Sequence, residues 1–431
     1  MIQKVVVVGL GETGWSVLRH MHGRCDLVVM DEAEAPRYAM QARALLGSER
    51  VKCGAVDLTW CAGADAVVFS PGFSVCSPFY QALQQRGVCL MSDVDVFMKT
   101  VNMPVLGVTG TNGKSTLVRL LAHVARAMGE RVFEGGNLGT PCLDGLAQQA
   151  SLNILELSSF QLAHAQPLPL DMAVLLNLAD DHASWHGHID HYHQSKLKIL
   201  AKAKQAWVVG EMASQVWSRH AHNQPAAHVH VMPNATAWSG QTSQGPWHVD
   251  AQRLPFGLDA ALVAVTLSVA AERGWHQAQV LQSLYAFKGL AHRLEVVGDF
   301  RLVRWINDSK ATNADAVLYA CRRLAALHQR VVLILAGKPK GWTPQALLPH
   351  RDLFKAWVVV GDHAEDFPDA LPDVCYQRCE TVAEAVSWAH CHTQAQDCVL
   401  FSPGGASFDQ YQSFADRGND FKQCVRDLHK M

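Results

Sequence analysis

Short apolar runs alternate with helix-length or loop stretches along most of the chain. The apolar runs lie at residues 5–8, 27–30, 66–69, 88–91, 104–106, 152–160, 172–177, 331–335, 357–360 and 399–401. Buried strands of parallel sheets read as continuous apolar runs, and their crossover connections are usually helices. The pattern therefore predicts an α/β protein with mainly parallel sheets and flanking helices.

The length predicts more than one domain. A chain of 431 residues is too long for a single core, and typical domain sizes suggest about three domains. We predict domains at 1–92, 93–297 and 298–431. The first and third have the doubly wound rhythm of Rossmann-like folds, and the second surrounds a glycine-rich loop.

The glycine-rich loop covers residues 107–116 and has the sequence Gly-Val-Thr-Gly-Thr-Asn-Gly-Lys-Ser-Thr. It follows an apolar run and precedes the helical pattern 117–124. Such a strand–loop–helix unit directs backbone N–H groups at phosphates, while its lysine neutralises charge and its hydroxyl binds Mg²⁺. The match to the phosphate-loop pattern is imperfect because Val108 occupies the first glycine position. We nevertheless predict an ATP site here, with Lys114 at the terminal phosphates and Ser115 or Thr116 at Mg²⁺.

A second glycine-rich turn, residues 9–14, follows the first strand and fits G-x-G-x-x-G. Asp31 ends the second strand 17 residues later, where an acidic side chain can meet a ribose. A nicotinamide-dependent dehydrogenase is therefore one interpretation. Because the phosphate loop follows a unit of only about 90 residues, binding of one nucleotide diphosphate is favoured. The turn at 70–73 lies on the same predicted sheet edge.

Glu156 interrupts an otherwise apolar strand. A buried carboxylate is costly unless it is paired or binds a metal, and Mg²⁺ prefers carboxylate oxygens. His182 follows the next strand at the expected rim of the site. Histidines 186, 188, 191 and 193 are predicted to form a solvated helix entry, and charge on a solvated helix face is the simple interpretation of lysines 196 and 198.

Composition excludes several classes of function. A formal charge of −2 gives no general basic surface for nucleic acid, and no apolar stretch approaches 18 residues. The N-terminus passes directly into the first apolar run, so we expect a soluble, cytoplasmic protein. The 12 cysteines form no C-x-x-C pairs and are expected to be reduced. A zinc set of Cys375, Cys379, His390 and His392 is disfavoured by its irregular spacing.

Several motifs together resemble the Mur ligases over nearly the whole chain; they are residues 110–116, 156–162, 181–182, 292–293, 307–313 and 402–410. The resemblance implies a cytoplasmic, monomeric enzyme of peptidoglycan synthesis. ATP would phosphorylate a muramoyl carboxylate, and an amine would then displace phosphate. The expected substrates are UDP-N-acetylmuramoyl-L-alanine and D-glutamate. L-glutamate or another Mur-type acceptor is the alternative.

The resemblance also implies roles for individual residues. Those expected at ATP are Gly110, Thr111, Asn112, Gly113, Lys114, Ser115, Thr116, Arg293 and Asp308. Those expected at two Mg²⁺ sites are Ser115, Thr116, Glu156, His182 and Lys196. Catalytic roles fall on Lys114, His182 and Lys196, the last as a carbamate, because a protonated amine would repel the metal. Those expected at the two substrates are Gly11, Thr13, Gly14, Asp31, Ser70, Gly72, Asn137, Ser158, Lys310, Thr312, Lys340, Ser407, Phe408 and Phe414.

Three positions depart from the family pattern. Ser184 replaces a second aspartate beside the metal site, Leu262 replaces an asparagine expected near adenine or ribose, and Ala33 replaces an arginine often found at the uridine nucleotide. Two rival families fit less well. Folylpolyglutamate synthases lack the first glycine-rich unit, and diaminopimelate- or lysine-adding ligases carry an Asp-Asn-Pro-Arg motif that is absent here. A non-catalytic nucleotide switch would bind ATP without amino-acid-dependent phosphate release.

Overall fold

The structure is a computed structural model that describes residues 3–179, 182–220, 229–232, 238–325, 330–339, 342–361 and 375–428. It divides into two compact units. Unit 1 comprises residues 1–253 and 260–287, and unit 2 comprises residues 254–259 and 288–431. Among the described residues, no helix is both long and apolar enough to cross a membrane.

The first sheet of unit 1 is parallel and has the strand order β3-β2-β1-β4-β5. The valines of β1 are buried and alternate between two hydrophobic clusters, so both faces of the sheet are covered. Its strands are β1 Lys4–Val8, β2 Asp26–Asp31, β3 Val51–Cys53, β4 Ala66–Phe69 and β5 Cys89–Ser92. Its helices are α1 Glu12–Met21, α2 Ala39–Leu46, α3 Pro78–Gln85 and α4 Asp93–Met98.

The second sheet of unit 1 is also parallel, in the order β11-β10-β9-β6-β8-β7. Its strands are β6 Val105–Thr109, β7 Val132–Gly136, β8 Leu152–Glu156, β9 Met172–Leu175, β10 Gln205–Val209 and β11 Val229–Met232. Its helices are α5 Lys114–Ala127, α6 Ser159–His164, α7 Ala183–His186, α8 Ile189–Leu197, α9 Glu211–His220, α10 Ala260–Glu272 and α11 Gln277–Ala286. An antiparallel hairpin consists of β12 Ser239–Thr242 and β13 Gly245–His248.

Unit 2 contains a sheet in the order β14-β15-β20-β16-β18-β19. Its pairs are parallel except that β14 is antiparallel to β15, and β17 pairs antiparallel with the end of β20. The strands are β14 Glu295–Phe300, β15 Val303–Asn307, β16 Val331–Ala336, β17 Lys338–Pro339, β18 Phe354–Val360, β19 Tyr376–Cys379 and β20 Cys398–Ala406. The helices are α12 Ala314–Ala325, α13 Val382–His392 and α14 Phe414–Leu428.

Helix α4 joins the two sheets of unit 1 through buried polar contacts. Ser92 and Asp95 form a capping box at its start, and Asp95 also accepts a hydrogen bond from the N–H of Gln166 at 3.0 Å. Asp93 is 1% exposed and accepts hydrogen bonds from Cys142 and Gln161. Burial raises the pKa of Asp93 to about 6. The junction between the sheets is therefore a packed polar contact.

The predicted α/β class with mainly parallel sheets is confirmed. One strand prediction was too long: β8 ends at Glu156, because Ser158 caps a new helix through a capping box with Gln161. An apolar run cannot by itself distinguish the end of a strand from the first turn of a helix. The boundaries at residues 92 and 297 remain a prediction.

Candidate active site

The phosphate loop lies between β6 and α5 and is supported by the end of the neighbouring strand β9. Gly110 has φ +154° and Gly113 has φ +84°, and a Cβ on Gly110 would lie 2.9 Å from the Cβ of Leu176. Asn177 fixes the loop from the side: its carbonyl accepts from Thr111 N–H at 2.9 Å, and its side chain bonds both the N–H and the carbonyl of Asn112. The loop thus has a defined, tightly supported backbone.

Helix α5 presents its N-terminus to this loop. Its N-cap is Gly113, which has no side chain to cap the first-turn N–H groups. Free N–H groups at a helix N-terminus favour phosphate. Lys114 lies at the same place, and its ammonium donates to the carbonyls of Gly110 at 2.9 Å and Thr111 at 3.0 Å. This arrangement can bind a polyphosphate.

Glu156 is buried beside the start of α5. Its carboxylate accepts hydrogen bonds from Ser115 Oγ at 2.5 Å and from Asn137 Nδ2 at 2.7 Å, and the side chain is 3% exposed. Thr116 is also buried. A buried carboxylate next to hydroxyls at a phosphate loop is a suitable oxygen donor set for Mg²⁺. Ser115, Thr116 and Glu156 therefore fit the expected metal.

Lys196 was expected on a solvated helix face from charge alone, but it is 2% exposed. Its Nζ donates to the carbonyl of Gly110 at 2.8 Å and lies 4.8 Å from the ring centroid of Tyr192. The hydroxyl of Tyr192 bonds Thr111 Oγ1 at 2.9 Å. Helix α8 therefore inserts Lys196 and Tyr192 directly against the phosphate loop. Tyr192 was not predicted from the sequence.

The histidines after β9 are less solvated than predicted. His186 and His193 are buried, and burial lowers the pKa of His186 to about 3. Lys198 is half-buried and donates to two backbone carbonyls. His182 is exposed, has φ +53°, and packs edge-on to Phe160 with ring centroids 4.8 Å apart. The prediction of a solvated helix entry was wrong for His186 and His193, which pack among aromatic side chains, whereas His188 is exposed as predicted.

Residues 180 and 181 lie outside the described residues, as do the side chain of Ser184 and all of Lys340. Leu262 is described and lies beside the phosphate loop, since a Cβ on Gly113 would be 3.8 Å from its Cδ2. Where the family pattern expects an amide, this chain therefore presents an apolar side chain. Asn137 and Ser158 belong to the same region, but the hydroxyl of Ser158 also caps α6.

A second group of predicted residues lies at the carboxyl ends of β1, β2 and β4. The strand order changes direction there between β1 and β4, which is the usual ligand crevice of such a sheet. Asp31 accepts hydrogen bonds from the N–H groups of Leu10 and Ala33, and Ser70 Oγ donates to the carbonyl of Gly9 at 3.0 Å. The sheet edge also carries Gly11, Thr13, Gly14 and Gly72.

In unit 2, the loop after β15 carries Asp308 and Lys310. Asp308 is 8% exposed and accepts from Leu294 N–H at 3.1 Å and Ser402 Oγ at 3.0 Å. Burial raises its pKa to about 7. The ammonium of Lys310 lies 4.1 Å from the ring centroid of Phe414. These contacts bring together three elements of unit 2.

Arg417 hydrogen-bonds to the loop after β15, and this role was not predicted from the sequence. The side chain is fully buried and donates to Ser309 Oγ at 3.1 Å, Ser309 O at 2.8 Å and Gly405 O at 3.0 Å. Burial lowers its pKa to about 10, so it stays charged at neutral pH. Arg417 thereby holds the 308–312 loop against the end of β20.

The remaining predicted residues of unit 2 differ in exposure. Ser407 is 3% exposed, whereas Phe408 is 78% exposed. Thr312 and Arg293 are half-buried, and Arg293 is flanked by His292 and Leu294, both at positive φ. Backbone strain at non-glycine residues often accompanies functional sites. Their roles remain predictions.

Two other features do not belong to this site. A cavity of about 880 Å³ opens at the amino ends of the strands of unit 1, between Arg24, Arg131 and the Arg19–Asp144 ion pair. None of the predicted site residues that the structure describes lines this cavity. Within the part of the chain that the structure describes, no group of three or more His, Cys, Asp or Glu side chains has a metal-binding arrangement. Mg²⁺ held by one or two carboxylates does not require such a group.

Comparisons with known proteins cover almost the whole chain. Family models match three segments, described as Mur ligase MurD-like N-terminal domain at 3–92, Mur ligase middle domain at 108–252 and Mur ligase, glutamate ligase domain at 292–405. The UDP-N-acetylmuramoylalanine–D-glutamate ligase of Hahella chejuensis is 34% identical, covering 99% of this chain and 98% of the relative. The enzyme of the same name from Pseudomonas fluorescens is 33% identical, covering 98% of each.

A solved structure shows the same fold. The MurF ligase from Thermotoga maritima in complex with ADP superimposes with a TM-score of 0.60 at 16% identity, covering 99% of this chain and 96% of that one.

Proposed function

Because the chain belongs to the Mur ligase family, as its motifs predicted, we propose that it joins D-glutamate to UDP-N-acetylmuramoyl-L-alanine with cleavage of ATP to ADP and phosphate. The observation that carries the proposal is full-length similarity, at 33–34% identity, to enzymes named for that reaction. The buried Glu156 and Lys196 at the phosphate loop supply the chemistry that such a ligase needs.

The first step forms an acyl phosphate. A carboxylate oxygen of the alanyl group attacks the γ-phosphorus, the bond between that phosphorus and the bridging oxygen breaks, and ADP leaves. Lys114 and the N–H groups at the start of α5 stabilise negative charge on the phosphates. Ser115, Thr116 and Glu156 would hold Mg²⁺, which when bound screens the repulsion between the carboxylate and the γ-phosphate.

The second step forms the amide. The amine of D-glutamate attacks the acyl carbon, loses a proton, and phosphate leaves with the electrons of the C–O bond. His182 orients this amine or contributes to metal binding. Lys196 acts as its carbamate, formed from the neutral amine and CO₂ with loss of a proton. A carbamate oxygen is anionic and can face a metal, whereas the ammonium would oppose it.

The UDP-linked substrate binds residues of unit 1, and D-glutamate binds residues of unit 2. The UDP group occupies the sheet edge at Gly11, Asp31 and Ser70, where α1 also offers an uncapped N-terminus for the diphosphate. D-glutamate carries two carboxylates and needs cations. Lys310, held against Phe414, is one described candidate in unit 2. Lys340 is a second candidate by resemblance and lies outside the described residues.

The proposal is tested by measuring phosphate release with UDP-N-acetylmuramoyl-L-alanine and D-glutamate, L-glutamate, D-aspartate or meso-diaminopimelate in parallel. We expect D-glutamate to be preferred and ADP to appear in equal amount with phosphate. Preference for L-glutamate would overturn the stereochemistry, and preference for diaminopimelate would overturn the acceptor assignment. AMP and pyrophosphate would overturn the acyl-phosphate route.

Cellular location and assembly follow from the same proposal. A ligase that consumes ATP and a UDP-linked precursor works where both are supplied, so we place it in the cytoplasm. It acts as a monomer. A sedimentation profile at the mass of one chain, 47.3 kDa, would support this, and a stable dimer that loses activity on dilution would contradict it.

A further inference from the structure

Trp185 connects helix α7 with the loop that follows β4. Its backbone carbonyl accepts a hydrogen bond from Ser74 Oγ at 3.1 Å, and its indole Nε1 donates to the carbonyl of Gly72 at 3.4 Å. Ser74 and Gly72 belong to the loop after β4, at the sheet edge predicted for the UDP substrate. Trp185 itself belongs to α7, which begins directly after His182.

Close packing joins the same two segments next to Trp185. Gly187 has φ +78°, and a Cβ there would lie 3.0 Å from Cys76 Sγ. His164 Nε2 donates to the carbonyl of Phe73 at 2.9 Å. The loop at 70–76 is here called the substrate loop. It therefore contacts helices α6 and α7 of unit 1 at several points along its length.

A continuous row of rings leads from this contact to His182. The ring of Trp185 lies 4.5 Å from that of Phe160, and Phe160 lies 4.8 Å from His182 in an edge-on arrangement. On the other side, Trp185 contacts His164 at 5.8 Å, and His164 stacks on Phe69 of β4 at 5.2 Å. Such packed aromatic contacts have specific geometry and transmit displacement because protein interiors are close-packed.

We propose that Trp185 is a positioning residue that couples the substrate loop to His182. The loop contacts the backbone and indole of Trp185, and the indole sets the position of His182 through Phe160. Occupation of the substrate loop by the UDP-linked precursor then fixes His182 for the second step. This inference rests on the proposed function, since it assigns the loop to that substrate and His182 to the reaction.

The packing around His182 leads us to expect that loss of the Trp185 side chain lowers the reaction rate. His182 is exposed and has a strained φ of +53°, and the rings of Phe160 and Tyr192 both support its orientation. Displacement of a reacting group by about 1 Å can reduce a rate by roughly 100-fold. Trp185 is linked to the phosphate loop less directly, through the rings of His186 and Tyr192, so ATP binding should change less than the rate.

The first experiment compares Trp185→Leu, Trp185→Phe and the control Trp217→Leu. Trp217 lies on α9 and is partly buried against a hydrophobic cluster of unit 1. We expect Trp185→Leu to lower kcat by about 10- to 100-fold with little change in the KM for ATP. Trp185→Phe should recover most of the rate because it retains a ring. Equal kinetic parameters for Trp185→Leu and Trp217→Leu would overturn the proposal.

A double-mutant cycle with Ser74→Ala tests the coupling itself. If the loop acts through Trp185, Ser74→Ala should lower kcat in the wild-type background and have a much smaller effect in Trp185→Leu. Additive effects of the two substitutions would overturn the coupling. Inactive wild-type enzyme in the same assay would instead contradict the proposed function.

Hydrogen exchange supplies a readout that does not depend on turnover. Adding UDP-N-acetylmuramoyl-L-alanine should slow exchange in residues 70–76 and also in residues 182–188. Trp185→Leu should keep the first protection and lose the second. Protection of both segments in the variant, or of the substrate loop alone in the wild type, would refute the role of Trp185.

Discussion

Asp308 offers a quantitative test because its environment opposes ionisation. The side chain is buried, and its pKa is raised to about 7 from an ordinary value of 3.8. The folded protein therefore binds this proton more tightly than the unfolded chain does. Asp308 contributes stability that is fully present below about pH 4 and is lost as the pH rises through 7. The interval corresponds to roughly 4 kcal/mol.

Asp308→Asn removes the titration while nearly keeping the shape. The amide can still accept from Leu294 N–H and can donate to Ser402 Oγ. Between pH 5.5 and 8.5 the wild type should lose about 2 kcal/mol of stability from this group, because at pH 5.5 the folded carboxyl is mostly protonated. The stability of the variant relative to the wild type should therefore rise by about 2 kcal/mol over that interval.

The measurement is urea unfolding of unit 2, followed by pulsed hydrogen exchange of peptides from β15 and β20 at the two pH values. Asp299→Asn serves as a control whose effect should stay constant over this interval. The hydrogen bond from Arg304 lowers the pKa of Asp299, so the contribution of that group to stability is fully present at both pH values and is lost only at more acidic pH. A difference between Asp308→Asn and wild type that stays constant with pH would refute the burial argument.

Three further substitutions test the site. Lys196→Ala should abolish most activity, with partial recovery by added short carboxylic acids; an unchanged rate would remove the carbamate. Gly110→Ala should destabilise unit 1 by roughly 1–3 kcal/mol and weaken ATP binding, more than Gly129→Ala, since both have positive φ but only Gly110 is crowded. Arg417→Leu should cost roughly 3–5 kcal/mol in unit 2 and raise the KM for glutamate, whereas exposed Arg426→Leu should do neither; equal effects of the two would contradict the role of Arg417.

Continuous apolar strands and glycine-rich turns were readable from sequence because their signals are local. The parallel sheets and the strand–loop–helix unit at Gly110 follow from apolar runs and from residues with positive φ. The end of β8 was misjudged, since Ser158 and Gln161 form their capping box inside a run that looks like a strand.

Residues whose roles depend on distant partners could not be found in this way. Arg417 lies on α14, whose sequence is mostly polar, and its hydrogen bonds are to Ser309, which is 108 positions earlier in the chain. Tyr192 gave no signal beyond an ordinary aromatic on a histidine-rich helix. Only the tertiary contacts distinguish these residues from their neighbours.

The buried contacts of Asp93 restrict the positions at which the genes of two related enzymes can recombine to give a functional hybrid. A hybrid gene that crosses over between residues 98 and 142 would take Asp93 from one parent and its partners Cys142 and Gln161 from the other. If the second parent offered apolar side chains there, the carboxyl would be buried with its hydrogen-bond donors removed. Positions 93, 142 and 161 should therefore be inherited as a set, and functional hybrids should cross over before residue 93 or beyond residue 161.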